Sequence, residues 1–324
     1  MSLQRVRAHG ITLDIDVPVP GWRAAAPTST DRWTVSVALD SPAMTLGPQP
    51  EPGRVTWKWS DDTWPHRYSL DLHGGLAPGS TRYVVDRSAR RIDVETAGAV
   101  TLNGCLEILG KWILADLARH DHGALPLHAT AVGAPSGAVL LTGDSGRGKS
   151  SLTTAMCTAG AVLIADEPAC VVPAATRSTL LPGIGLLRLD PEAARRLGIE
   201  AAERWVDVSG GGDDAGKLLL VDTAFDGPAA EPDPTVSAII VLGPRRAVGS
   251  PVSVERLTPR AAFHALFEQR YTRALEERSI RRDFSALAVL ADSVPILRAE
   301  LIDDLAELPG AAHRLLDEIA DLSS

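Results

Sequence analysis

The sequence predicts an α/β fold with a smaller β-rich domain at its N-terminal end. Three observations predict it. An apolar run at 138–142 leads into Gly143-Asp144-Ser145-Gly146-Arg147-Gly148-Lys149-Ser150, and 151–156 then reads as a helix start. A second apolar run at 162–165 ends in two acids, Asp166 and Glu167. Residues 1–100, by contrast, alternate apolar and polar side chains and are broken by Pro and Gly. Period two with polar alternates marks half-buried sheet.

Taken in order, 11–17, 33–39, 55–59 and 68–72 read as alternating strands. The runs 83–86 and 92–96 flank the charged turn Arg87-Ser88-Ala89-Arg90-Arg91 and predict a hairpin. Trp22, Trp33, Trp57, Trp59 and Trp64 fall in this region. Sheet packing is the plain expectation for them, and a partner surface is the alternative. The period changes at 104–119, where Leu106, Leu109, Trp112, Ile113 and Leu117 recur at helical spacing. The expected boundary lies near Asn103-Gly104, giving domains at 1–103 and 104–324.

Residues 125–132 read as one strand containing His128, and Gly160 punctuates the helix after the glycine-rich loop. Further strands are expected at 236–242, 252–257 and 295–301. Helices are expected at 191–198, 259–291 and 309–321, the second opening at Thr258-Pro259. Residues 210–217 read as a mobile glycine-rich loop ending in Lys217. The arginines Arg270, Arg273, Arg278, Arg281 and Arg282 alternate with Glu268, Glu276, Glu277 and Asp283, which predicts a solvated, salt-bridged face.

A strand, a G-x-x-x-x-G-K-S loop and a helix in that order form a phosphate-binding motif. The glycines let backbone N–H groups converge on one point, and the helix N-terminus adds partial positive charge there. Residues 143–151 are therefore the candidate nucleotide site: Gly143, Asp144, Ser145, Gly146, Arg147, Gly148, Lys149, Ser150 and Ser151. Lys149 reaches phosphates and the Ser150 hydroxyl ligates Mg²⁺ in such loops. Asp166 follows Lys149 by 17 residues and, at the end of an apolar strand, reads as a metal ligand or base. Glu167 shares that position.

With 324 residues the chain has room for two domains and a full core. A formal charge of −9 argues against a nucleic-acid partner. No apolar run approaches the ~20 residues of a membrane span, and residues 1–7 lack a following apolar signal segment. Cys105, Cys157 and Cys170 show neither metal-ligand nor disulfide spacing. The expectation is a cytoplasmic protein with no membrane partner.

Leu127-His128-Ala129-Thr130-Ala131, the 143–150 loop and Leu163-Ile164-Ala165-Asp166-Glu167 together resemble the catalytic domain of HPr kinase/phosphorylase and its relatives, lasso-peptide kinases among them. The resemblance covers roughly 104–324, with Leu181-Pro182-Gly183, Lys217 and the last strand–helix pair included. It implies a P-loop kinase core similar to the nucleotide domain of phosphoenolpyruvate carboxykinase, with ATP and Mg²⁺ as cofactors. It implies His128, Lys149, Asp166 and Glu167 as catalytic residues and Lys217 as a nucleotide or substrate clamp. The implied reaction is transfer of the γ-phosphoryl of ATP to a serine hydroxyl of a protein or peptide. A small-molecule alcohol, or a nucleotide-driven accessory switch without transfer, remains open. HPr kinase is a hexamer, so a homo-oligomer is within the expectation. Two departures stand out. The second acid is Glu167 where the family has Asp, and Thr179-Leu180-Leu181-Pro182-Gly183 lacks the family's acid before its Gly-x-Gly. The resemblance thus implies a kinase without phosphorylase activity, acting on something other than HPr.

Overall fold

The protein is a mixed α/β structure, described here by a computed structural model that covers residues 3–19, 22–26, 32–39, 41, 54–59, 67–73, 79–98, 102–199, 205–206, 218–221, 233–248, 250, 252–271 and 277–322. For 54–59, 73, 103, 205–206, 218–221 and 277–279 the backbone alone is covered.

The N-terminal sheet has eight strands: β1 (Gln4–Ala8), β2 (Ile11–Ile15), β3 (Arg23–Ala24), β4 (Arg32–Ala38), β5 (Arg54–Trp59), β6 (Arg67–His73), β7 (Gly79–Asp86) and β8 (Arg91–Gly98). Their order is β3-β1-β2-β4-β8-β7-β6-β5, with β4 parallel to both β2 and β8. The alternation sorts the two faces. Leu13, Ile15, Trp33, Val35, Tyr83, Val85, Ile92 and Val94 are buried together. Asp14, on the other face, takes Arg5 at 2.7 Å and Arg32 at 3.1 Å. Trp22 and Trp33 belong to the core. The side chains of Trp57, Trp59 and Trp64 lie outside the described residues.

A helical segment then covers the sheet. It runs as α1 (Leu102–Ile108), a π-helical stretch (Leu109–Leu114) and α2 (Ala115–Asp121). Leu106, Leu109, Ile113, Leu114 and Leu117 pack into the sheet's buried face. Its other side meets Ala124 and Cys170 through Ala115 and Ala118. The segment is thus buried between the N-terminal sheet and the C-terminal part of the chain.

That C-terminal part comprises β9 (Leu125–Leu127), β10 (Ala129–Ala134), β11 (Gly137–Thr142), α3 (Lys149–Thr158), β12 (Val162–Ala165), β13 (Ala169–Val172), β14 (Thr179–Leu181), β15 (Leu186–Leu189), α4 (Pro191–Arg196), β16 (Trp205–Val206), β17 (Leu218–Val221), β18 (Val236–Leu242), β19 (Ser253–Arg256), α5 (Pro259–Glu268), α6 (Glu277–Ser293), β20 (Ile296–Glu300) and α7 (Leu308–Leu322). Six strands form the central sheet in the order β12-β10-β11-β18-β20-β19, with β11, β18 and β20 parallel. One face packs on α3, α4 and α7 through Val139, Leu141, Ile240, Leu297 and Leu315. The other packs on α5 and α6 through Leu140, Ile239, Ile296, Leu266 and Leu287. Helices on both faces of a partly parallel sheet give the layered α/β arrangement. Two three-stranded sheets, β14-β13-β9 and β15-β17-β16, complete the described strands.

Several expectations change. The strand expected at 125–132 is two strands in different sheets, broken at His128. There the His128 N–H donates to the Gln269 carbonyl at 2.8 Å and its own carbonyl accepts from Thr142 Oγ1 at 2.8 Å. The helix expected at 259–291 is α5 and α6, and Arg270 between them bridges to Leu127. The arginine-rich face is not wholly solvated: Asp283 is 2% exposed and pairs with Arg119, itself 1% exposed, at 2.9 Å. Arg270 stacks over Phe267, 3.7 Å from the ring centre. The loop at 210–217, Lys217 included, lies outside the described residues. All three cysteines are free and buried, and burial raises Cys157 to about 12.

Candidate functional site

The glycine-rich loop leaves the carboxyl end of β11, a central parallel strand, where open α/β sheets bind ligands. Its shape needs glycine at two points. Gly143 has φ +140°, and a Cβ there would meet the Leu242 carbonyl oxygen at 2.8 Å. Gly148 has φ +90°, and a Cβ would fall 1.9 Å from Arg245 Nη2. Gly148 is also the N-cap of α3, which no side-chain hydrogen bond caps. The helix start thus keeps its N–H groups for an anion. Asp144 and Ser145 stand exposed at the loop's rim, with Arg147 3.5 Å from Asp144.

Lys149 folds back into the loop. It is 8% exposed, and Nζ donates to the Gly143 carbonyl at 2.7 Å and more weakly to Asp144 at 3.5 Å. Its third partner is His128 Nε2 at 2.7 Å. An ammonium only donates, so Nε2 accepts and the imidazole proton sits on Nδ1. Nδ1 faces Glu167 Oε1 at 2.7 Å. Lys149, His128 and Glu167 therefore form one hydrogen-bonded chain. The break between β9 and β10 puts His128 at its centre.

Burial pushes Lys149 below the usual lysine range against the pull of Glu167, Asp166 and Asp144. Burial also pushes Glu167 upward, but the His128 hydrogen bond and the charges of Lys111, His128 and Lys149 outweigh it and leave Glu167 low. Asp166 moves the other way. Burial raises it, adjacent Glu167 adds to the rise, and Lys111 opposes it. Two neighbouring acids thus differ in proton affinity because their surroundings differ.

The structure brings together four of the residues singled out from sequence: His128, Lys149, Asp166 and Glu167. Ser150 and Ser151 lie in the first turn of α3, half-buried. Gln269 escaped notice. It is 8% exposed at the end of α5, accepts from Thr142 Oγ1 at 3.4 Å and donates to Asp144 Oδ1 at 3.4 Å, tying α5 to the loop. Arg245 escaped too. It crosses beside Gly148 and donates to the Ile302 carbonyl at 3.0 Å. No local pattern marks either residue. Glu107 and Lys111 had a signal, an i,i+4 polar pair on an otherwise apolar helix, but such pairs are ordinary on surfaces. They are ion-paired at 2.9 Å, and Glu107 also pairs with Arg188.

No family model and no curated protein matches this chain. Among the described residues, no group of three or more His, Cys, Asp or Glu side chains is arranged to hold a metal ion. No helix among the described residues is long and apolar enough to cross a membrane.

Proposed function

We propose that the protein is an ATP- and Mg²⁺-dependent kinase with a P-loop core of the HPr kinase type, transferring the γ-phosphoryl to an alcohol. A serine hydroxyl of a protein or peptide is the preferred acceptor, through the sequence resemblance. The observation that carries the reading is the hydrogen-bonded chain from Lys149 through His128 to Glu167, which joins a phosphate loop to an acid pair.

In this mechanism the loop N–H groups and Lys149 bind the phosphates and oppose their growing charge. Ser150 and Asp166 would hold Mg²⁺, whose charge offsets that of the phosphates. His128 keeps Lys149 and Glu167 in register. The alcohol oxygen bonds the γ-phosphorus, the bond from that phosphorus to the β,γ-bridging oxygen breaks, and ADP leaves. The alcohol proton passes to the Asp166–Glu167 pair.

The test is transfer of labelled γ-phosphoryl from ATP to a panel of L-serine, glycerol and a serine-containing hexapeptide. Phosphate on one acceptor, reduced about 10²- to 10³-fold in Lys149→Met, is the expected result. Transfer that survives Lys149→Met would overturn the mechanism. Nucleotide binding without any phosphorylated acceptor would favour the switch reading.

A further inference from the structure

We propose that the pocket where the N-terminal sheet meets the end of β12 is the acceptor subsite, and that Lys111 and His9 bind a compact hydroxyl-bearing group there. This rests on the phosphotransfer reading above. The pocket is small, about 20 Å³, partly open, and lined by His9, Glu107, Lys111, Asp166 and Glu167 with apolar walls from Ile184 and Leu186. Its floor is the acid pair. Its other polar walls come from the β1–β2 turn and the covering helix, none of which belongs to the phosphate loop.

Four independent features hold these groups in place. The helix is π-wound at Leu109–Leu114, around Lys111, and such distortions concentrate at functional sites. Gly110 lets the helix backbone press on Ile184, whose Cδ1 would lie 2.0 Å from a Cβ at that position. Gly183 does the same for His9, whose Cε1 would lie 2.8 Å from a Cβ. Finally, His9 is 1% exposed, adopts φ +50° at a tight turn, and its Nδ1 has no hydrogen-bond partner. A buried, unsatisfied ring nitrogen is costly and is expected to gain a partner when a ligand arrives.

The lining defines the ligand class. Lys111⁺ and Glu107⁻ offer a donor and an acceptor side by side, and His9 adds one more polar atom. The group that fits is a single hydroxymethyl, such as a serine side chain or one end of glycerol, with the rest of the acceptor outside the pocket mouth. A pocket of about 20 Å³ has room for little more than one water-sized group and excludes a bulky aromatic alcohol.

The experiment pairs two readouts on the full chain: steady-state transfer, and ligand-observed NMR with L-serine, glycerol and the serine hexapeptide. The variants are Lys111→Met, Lys111→Arg and His9→Asn, the last keeping a residue that tolerates positive φ. The expected result is an acceptor KM raised at least tenfold in Lys111→Met and His9→Asn. Lys111→Arg should recover most of the loss, and KM for ATP should change less than twofold. Transfer with unchanged acceptor KM in both variants overturns the subsite and leaves the kinase reading standing. Acceptor binding without transfer, lost in both variants, supports the subsite and sinks the kinase reading. No binding and no transfer to any probe overturns both.

Discussion

Replacing Gly148 with alanine tests the proposed nucleotide site through its geometry. At φ +90° and ψ +26° the residue is left-handed, which costs an L-residue roughly 1–2 kcal/mol. The new methyl would also sit 1.9 Å from Arg245 Nη2, so the guanidinium must move and forfeit its 3.0 Å bond to the Ile302 carbonyl. That bond is worth about 1 kcal/mol. The sum is about 2–3 kcal/mol against the native loop, and binding that requires this loop weakens about 30- to 150-fold. Titration with a fluorescent ATP analogue in Mg²⁺ reads the effect. Gly198→Ala is the control: φ is +75°, nothing lies within 4 Å of its Cβ, and it follows α4, away from the loop. It carries the conformational cost alone and should leave affinity within twofold. If Gly148→Ala binds within threefold of wild type, or if Gly198→Ala weakens binding equally, the reasoning fails.

Arg119→Met should lower stability by about 3–5 kcal/mol, because it strands the buried Asp283 carboxylate without its partner. A urea midpoint equal to wild type would refute this, and replacing both residues with apolar ones should restore most of the loss. Stability should also fall in acid through two histidines. Burial holds His9 at about 4 and His120 at about 4, against 6.5 when unfolded. Their stabilising contribution is present above pH 6.5 and is lost as pH falls toward 4, up to about 3 kcal/mol for a fully buried one. Asp116 opposes them: burial raises it to about 6 from 3.8, so its contribution is present below 3.8 and lost as pH rises through 6. Urea midpoints between pH 4 and 6.5 should rise less steeply in His9→Asn and more steeply in Asp116→Asn. Equal slopes in all three proteins would refute the assignment.

The legible parts of this chain are those fixed by neighbours in sequence. Alternation in 33–39 reports a strand with two faces, and Trp33, Val35 and Val37 do turn toward the sheet's packed side. Glycines at 143, 146 and 148 report a loop with positive φ, and all three have it. The split at His128 was illegible because 125–132 is almost uniformly apolar. Nothing in its period shows that Leu127 pairs with Ala169 while Ala131 pairs with Leu140. The approach of Gly110 to Ile184 joins residues more than 70 positions apart, and so does the pocket that Lys111 lines with Ile184 and Leu186. Gln269 is likewise placed by the end of α5, not by any motif around it.

The acid pair carries a consequence that the motif alone does not. Glu167 turns to His128 and, through it, to Lys149; the strongest charge acting on Asp166 is Lys111, from the covering helix. Both carboxylates line the pocket under the covering helix and both feel Lys111, but Glu167 is the one hydrogen-bonded to His128. Glutamate at 167 has the extra methylene that carries a carboxylate to within 2.7 Å of His128 Nδ1. An aspartate there would have to draw the β9–β10 break inward to keep the contact. Glutamate at this position is matched to the placement of His128, so Glu167→Asp should loosen the hold on Lys149 although it preserves the charge.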